Sequence, residues 1–399
     1  MDPYLVRFEA RVLEVRDRGG RPAVVLDRSA FYPEGGGQPS DRGTLASAPV
    51  VDVVEEGGTV LHVLEGPAPQ GAVVGLVDWA RRFDHMQQHH GQHLLSAAFE
   101  RLWQARTVSF HLGEETCTID LDRPVSEMGS DRLRAAEAAA SEFVWRDLEV
   151  TARDHSPEEM ARLPLRKEAV KGARLVVVRD DRPGASPEPV DVSPCGGTHP
   201  RRTGEVGAVA VLGAVKWGSG TRVEFACGAR VLRLLGQSRQ LVADSSRVLR
   251  CATSDLPAAV EKLSLESTAR RKESERLLLA LAGAEAARLA GAKAAPAPVT
   301  AELAPPLASP EGLRAVAQAL AGLGRTAFLG AAGEPGAHLC FARPRGSGPH
   351  LGEVLRGAAQ AAGGKGGGAP DLAQGSVPDI GSLRRVLYSA SGSAEDPGA

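Results

Sequence analysis

The sequence predicts an α+β protein with four parts in series: a small N-terminal β-barrel, a mixed α+β domain, a long helical spacer and a C-terminal α/β domain. Three observations predict it. Short apolar runs separated by Gly- and Pro-rich turns fill the first 78 residues. Strand-like and helix-like periodicities then alternate to about residue 245. A helical stripe of leucines follows, and a final αβ alternation closes the chain. The expected boundaries are 1–78, 79–245, 246–299 and 300–388, with 389–399 as a disordered tail.

The barrel expectation rests on Val12–Val15, Ala23–Asp27, Val50–Val54, Val60–Leu64 and Ala72–Val77, short strands at regular intervals. Between the second and third lies Phe31-Tyr32-Pro33-Glu34-Gly35-Gly36-Gly37-Gln38-Pro39-Ser40-Asp41. Its flanking aromatics distinguish Gly35, Gly36 and Gly37 from a passive linker, and their backbone suits close approach to a ligand; a tight hairpin loop is the plainer reading. In the second part, helices are expected at His89–Leu102, Ser130–Trp145 and Pro157–Ala161. Strands are expected at Thr107–Leu112, Cys117–Leu121, Arg174–Val178, Gly207–Leu212 and Thr221–Cys227. Leu256 to Ala295 reads as long helix with an imperfect apolar stripe, and Pro296 and Pro298 mark a linker. Beyond it come a helix near Pro310–Leu323 and strands at Thr326–Leu329 and His338–Ala342. Then Gly363-Gly364-Lys365-Gly366-Gly367-Gly368 suggests a backbone cradle for phosphate or RNA, without the Lys-Ser/Thr of a nucleotide-binding loop.

Composition is that of an ordinary globular chain: 399 residues, 43% hydrophobic and 24% charged. A net charge of -2 excludes a uniformly basic nucleic-acid binder but leaves room for a local basic patch. The five cysteines (117, 195, 227, 251, 340) have no framework spacing and point to a reducing compartment. The N-terminus lacks a basic stretch followed by an apolar core, and no uncharged apolar run reaches spanning length. A cytoplasmic protein without a membrane partner is expected.

Two stretches carry candidate chemistry. His89-x-x-x-His93 puts two imidazoles on one face of a helix, and Cys195-x-x-x-His199 adds a thiolate and an imidazole on a glycine-rich turn. Three His and one Cys suit zinc. Arg81-Arg82 and Arg201-Arg202 each adjoin one of these pairs, as phosphate-backbone contacts would. A zinc peptidase is disfavoured, because His90 occupies the position where such enzymes carry a glutamate base.

The ordered set Phe31–Gln38, His89-x-x-x-His93-Leu94-Leu95 and Cys195-Gly196-Gly197-Thr198-His199, trailed by Thr203–Gly207 and Thr221–Glu224, resembles the editing region of alanyl-tRNA synthetase and its free-standing AlaX relatives. The glycine run with Pro370-Asp371-Leu372-Ala373-Gln374-Gly375 is similar to the DHH-associated domain that ends the long forms. His90 departs from the family, which most often has Thr there. Ser376-Val377-Pro378 is less glycine-rich than the usual pattern.

The resemblance implies a zinc-dependent hydrolase that removes serine or glycine from mischarged tRNA(Ala) in trans. It implies no aminoacylation, since the chain opens directly on the barrel. His89, His93, Cys195 and His199 would be metal ligands, and Gln38, Ser109 and Thr198 substrate-recognition groups. Arg81, Arg82, Arg201, Arg202 and Lys365 would meet tRNA, and the spacer or C-terminal domain would pair two copies.

The chemistry is coherent. An alanine-sized pocket cannot exclude glycine and rejects serine only about a hundredfold, whereas a second site that grips the hydroxyl discriminates far better. Four protein ligands, however, normally close a structural site, while catalytic sites keep a position open. A tRNA-binding or dimerisation module with structural zinc is therefore the alternative.

Overall fold

The computed structural model describes residues 2–166, 174–182, 186, 188–292, 297–346 and 348–391. They form two compact units, Met1–Asp244 and Ser245–Ala399. Residues 1–78 and 79–245, read as separate domains, thus lie together in the first unit apart from Ser245. The expected linker residues 294–296 and tail residues 392–399 fall outside the described set.

Six strands open the first unit: β1 (Arg7–Arg18), β2 (Arg21–Leu26), β3 (Gly43–Leu45), β4 (Ala48–Glu56), β5 (Thr59–Leu64) and β6 (Ala72–Val77). They close into a barrel in the order β1-β2-β5-β4-β3-β6, filled by Phe8, Val24, Phe31, Leu45, Val53 and Val73. All five predicted runs fall on these strands, the second overrunning β2 by Asp27. Only β3 escaped, because three residues are too few to show a period of two.

His62 is buried in the barrel. Its Nδ1–H donates to the Val24 carbonyl at 3.0 Å, so Nε2 accepts from the Ser29 hydroxyl at 2.7 Å. Burial pushes its pKa below the usual histidine value. An unfolded chain therefore takes up this proton more readily than the folded one, and the neutral ring stabilises the fold only above about pH 6.5. Stability measured by urea unfolding should fall as pH drops through 6.5, by up to roughly 1.4 kcal/mol per pH unit for this group. A His62→Gln variant should show a flatter acid limb; an identical slope would contradict the assignment.

α1 (Trp79–Trp103) follows, capped by the Asp78 side chain, which accepts from Arg81 N. It starts well before the predicted His89. The residues Arg81–Gln88 are mostly polar, with only Phe83 and Met86 apolar, yet Arg82, Gln87 and Gln88 are buried. Each has a partner: Gln88 exchanges hydrogen bonds with the Cys227 backbone at 2.8 and 3.0 Å, and Gln87 donates to Glu205 O at 2.9 Å. Gly91 makes this contact close, since a Cβ there would stand 2.2 Å from Cys227 Sγ. Gly91→Ala should cost about 1–3 kcal/mol by overpacking, read as a lower thermal midpoint; an unchanged midpoint would refute the close approach.

The remaining elements of this unit are β7 (Thr107–Leu112), β8 (Cys117–Leu121), α2 (Ser130–Trp145), β9 (Glu149–Asp154), α3 (Pro157–Met160), β10 (Arg174–Arg179), β11 (Asp191–Pro194), β12 (Val209–Trp217), β13 (Gly220–Cys227) and α4 (Ala229–Leu249), whose end passes the unit boundary. The strands form sheets of order β12-β13-β8-β7 and β11-β10-β9. Leu94, Leu95 and Phe99 of α1 share one core with Ile119, Phe143, Val176 and Phe225. That core fixes α1 between the sheets, with its histidines toward the chain segment after β11.

In the second unit, α5 (Leu256–Ala292) precedes β14 (Val299–Glu302), α6 (Pro310–Gly322), β15 (Ala327–Ala332), β16 (Ala337–Ala342), α7 (Leu351–Ala361), β17 (Lys365–Gly368), β18 (Leu372–Val377) and α8 (Ile380–Ser391). The sheet order is β14-β15-β16-β18-β17. Ala282 and Ala286 of α5 are buried with Leu313, Val316 and Leu320 of α6, so the helix read as a spacer contributes to this core. Residues 389–391, expected to be disordered, end α8. The glycine run expected as a cradle is instead the edge strand β17. Its missing side chains let α7 pack against it: a Cβ on Gly366 would stand 3.0 Å from Leu355 Cγ, and one on Gly352 2.2 Å from Gly368 O.

Candidate metal centre

His89 and His93 stand one helical turn apart on α1, and Cys195 and His199 follow β11. Their ligand atoms all lie within 4.8 Å of one another. Cys195 Sγ is 3.2 Å from Nε2 of both His89 and His199. The three histidines are buried and Cys195 is half-buried. Gly197 permits the turn to close on α1, since a Cβ there would meet His89 Cε1 at 2.2 Å. Arg174 on β10 ties the turn down, donating to the carbonyls of Cys195 and Gly197 at 2.9 and 2.8 Å.

Each imidazole has its Nδ1 engaged, which leaves Nε2 for a cation. His89 Nδ1–H donates to Gln38 Oε1 at 2.8 Å, and His93 Nδ1–H to Asp191 Oδ2 at 2.7 Å. His199 Nδ1 faces His90 Nδ1 at 3.1 Å. Partners of this kind fix tautomer and ring orientation in metal sites. His90, which the sequence left as a competitor for the metal, therefore acts as the outer partner of His199. If His199 donates, His90 carries its proton on Nε2, which has no partner in its buried position.

The electrostatics favour a cation. Burial alone would raise the Cys195 thiol, but His199 and His89 outweigh it and hold sulfur well below the usual range, as thiolate. Burial would likewise raise Asp191, but Arg166, with Nε 2.7 Å from Oδ1, and His93 keep it a carboxylate. Burial pushes His199 down to about 3, whereas Asp191 and Cys195 outweigh burial and raise His93 to about 8, so that ring gives up a proton when a cation binds. A thiolate and imidazoles with free Nε2 atoms match a zinc donor set.

Asp191, Arg166 and Arg174 were missed in the sequence reading; the available signal was an acidic residue four positions before a ligand cysteine. Asp191→Asn should weaken zinc binding about 10–100-fold, measured by competition with a chromogenic chelator. Wild-type affinity would contradict the outer-partner role.

The other expected site residues divide. Gln38 is fully buried; besides His89, its Oε1 accepts from Thr198 N at 3.0 Å, and its Nε2 donates to Thr198 Oγ1 at 2.8 Å. It therefore holds the centre together from within. Gly36 and Gly37 have positive φ (55° and 81°) in a turn closed by backbone bonds between Gly35 and Gln38, and a Cβ on Gly37 would meet Phe110 at 2.8 Å. Phe110 packs 5.4 Å from the His89 ring. Strand alternation turns Ser109 the other way: it is exposed and donates to Asp120, which also binds Arg222. Phe110 thus takes the place against the cluster that the sequence reading gave to Ser109.

Among the arginines, Arg82 is not a surface residue at all. Fully buried, it pairs with Asp41 and donates to the carbonyls of Pro3 and Ala30, so it cannot meet phosphate. Arg201 is exposed over the Tyr4 ring, 4.3 Å from its centroid, and Arg202 pairs with Asp147 at 2.6 Å. Lys365 is exposed at the start of β17.

Residues 174–224 match the Threonyl and Alanyl tRNA synthetase second additional domain, and residues 299–394 match the DHHA1 domain. The first match contains Cys195 and His199. "Alanyl-tRNA editing protein AlaX-L" of Pyrococcus horikoshii is 37% identical over 250 residues, 59% of this chain and 59% of that protein. Over these lengths the chain is similar to alanyl-tRNA editing proteins. "Alanyl-tRNA editing protein Aarsd1" of Bos taurus is 34% identical over 265 residues, 65% of this chain and 57% of its own length. An "Alanine--tRNA ligase" of Pyrobaculum neutrophilum is 36% identical over 279 residues, 66% of this chain but 30% of the ligase. The chain thus matches less than two thirds of each of these relatives. The resemblance read from the motifs holds. Among the described residues, no helix is long and apolar enough to cross a membrane.

Proposed function

We propose that this chain is a zinc-dependent aminoacyl-tRNA hydrolase that deacylates Ser-tRNA(Ala) or Gly-tRNA(Ala) in trans. The observation that carries the reading is the convergence of His89, His93, Cys195 and His199, each histidine oriented by its own Nδ1 partner. Zinc held there supplies a Lewis acid for an ester carbonyl or an acidified water. Gln38 and Asp191 keep two ligand rings in the tautomer that faces the ion. Because Gln38 donates to Thr198 Oγ1, the Thr198 O–H remains free to donate to the hydroxyl of a seryl group. An alanyl group offers no such acceptor. Arg81, Arg201, Arg202 and Lys365 are the proposed tRNA contacts, and α5, with Val260, Leu263 and Leu265 exposed, the proposed homodimer contact.

Relative rates on Ser-, Gly- and Ala-tRNA(Ala) test this. The reading expects Ser-tRNA hydrolysed and Ala-tRNA left intact, with Thr198→Val losing the serine preference. Equal hydrolysis of Ser- and Ala-tRNA would overturn it. The closed four-ligand set favours one other reading, a non-catalytic tRNA-binding or dimerisation module with structural zinc. That reading expects tRNA binding without release of any amino acid.

A further inference from the structure

A second concavity lies one turn of α1 from the metal ligands. Its volume is about 560 Å³, within the range of small-molecule sites. His85, four residues before His89 and so roughly 6 Å along the helix axis, lines it. Pro39, next to Gln38, and Leu112, two residues beyond Phe110, line the side nearest the centre.

Three features describe what fits there. His85 is 4% exposed, and its Nδ1 has no hydrogen-bond partner. Burial, followed by Arg81, pushes the ring down to about 4, so it is a neutral group with an unused nitrogen. The walls beside it are flat and apolar, from Pro39, Ala80, Phe83 and Leu112. Phe83 is braced by stacking on Trp79 at 5.2 Å.

The charged groups are placed unequally. Arg230 is spent on Asp84 and on Gly113 O. Arg81 uses Nε on Ser40 O, and its terminal nitrogens have no partner among the described residues. Arg233 likewise has none and is exposed at the rim. Against these two cations stands one carboxylate not engaged by Arg230, Glu114. An apolar slot lined by a neutral imidazole matches a nucleobase, and rim guanidinium groups match a phosphate.

The geometry points to a subsite for one nucleoside monophosphate unit of a single strand, its base between Phe83 and Leu112 against His85 and its phosphate at Arg81 and Arg233. This rests on the proposal that an acceptor end enters the metal centre, and it assigns the place where that strand is gripped next to it.

Isothermal titration of the full chain with AMP, adenosine and inorganic phosphate tests it without any hydrolysis. Saturable one-to-one binding of AMP is expected, weakened about tenfold or more by His85→Ala, with adenosine weaker than AMP. Arg233→Glu, a surface change that leaves the core untouched, should reduce AMP to the level of adenosine. Absence of saturable AMP binding, or affinity unchanged in both His85→Ala and Arg233→Glu, would overturn the subsite whether or not the hydrolase reading stands. Phosphate binding as tightly as AMP would overturn the base-binding part.

Discussion

Cys195→Ala protein should purify without stoichiometric zinc and should release no serine from Ser-tRNA(Ala). The thiolate is the only anionic member of the ligand set, and two imidazole Nε2 atoms lie 3.2 Å from it. Removing it leaves three neutral ligands facing a divalent cation. The loss in zinc affinity should exceed the 10–100-fold typical of an outer partner. Far-UV circular dichroism separates the two readings of the metal. A folded, zinc-free, inactive variant supports a catalytic ion, whereas loss of the first unit's structure supports a structural one. Full zinc occupancy in this variant would refute the ligand assignment.

Arg82→Ala should destabilise the protein by about 3–5 kcal/mol, the cost of leaving a buried partner charge unpaired. Arg82 and Asp41 are both fully buried, and Arg82 Nε donates to the two carboxylate oxygens at 2.8 and 2.9 Å. Asp41 also accepts from Tyr32 N, so the pair anchors both ends of the segment carrying Gly35–Gln38 to α1. Loss of the anchor should lower the thermal midpoint by about 10 °C and loosen the zinc centre through Gln38. The salt dependence of tRNA binding should stay as in the wild type, because Arg82 releases no counterion. A stable variant with a reduced salt slope would restore Arg82 to the nucleic-acid surface.

These two residues also show what the sequence could and could not reveal. The clustering of His89, His93, Cys195 and His199 was legible because His-x-x-x-His on a helix and Cys-x-x-x-His on a turn are local patterns whose chemistry converges only in the fold. The barrel strands and most of the α+β elements were legible from their periodicity. Arg82 was misread because a doublet of arginines looks solvated unless its distant partner, Asp41, is known. Gln38 and His90 were misplaced for the same reason: their roles depend on atoms contributed by His89, Thr198 and His199. The early start of α1 was hidden because its first turns bury polar side chains, each satisfied across the fold, and no hydrophobic period marks them. Strand β17 was read as a cradle since its glycines carry no strand propensity; close packing of α7 explains them.

Serine release from Ser-tRNA(Ala) by the full chain, before and after chelation and again after added zinc, tests the central claim most directly. The account predicts release that stops on chelation and returns with zinc, with Ala-tRNA(Ala) intact throughout. Release that continues undiminished in protein shown to be metal-free would contradict it.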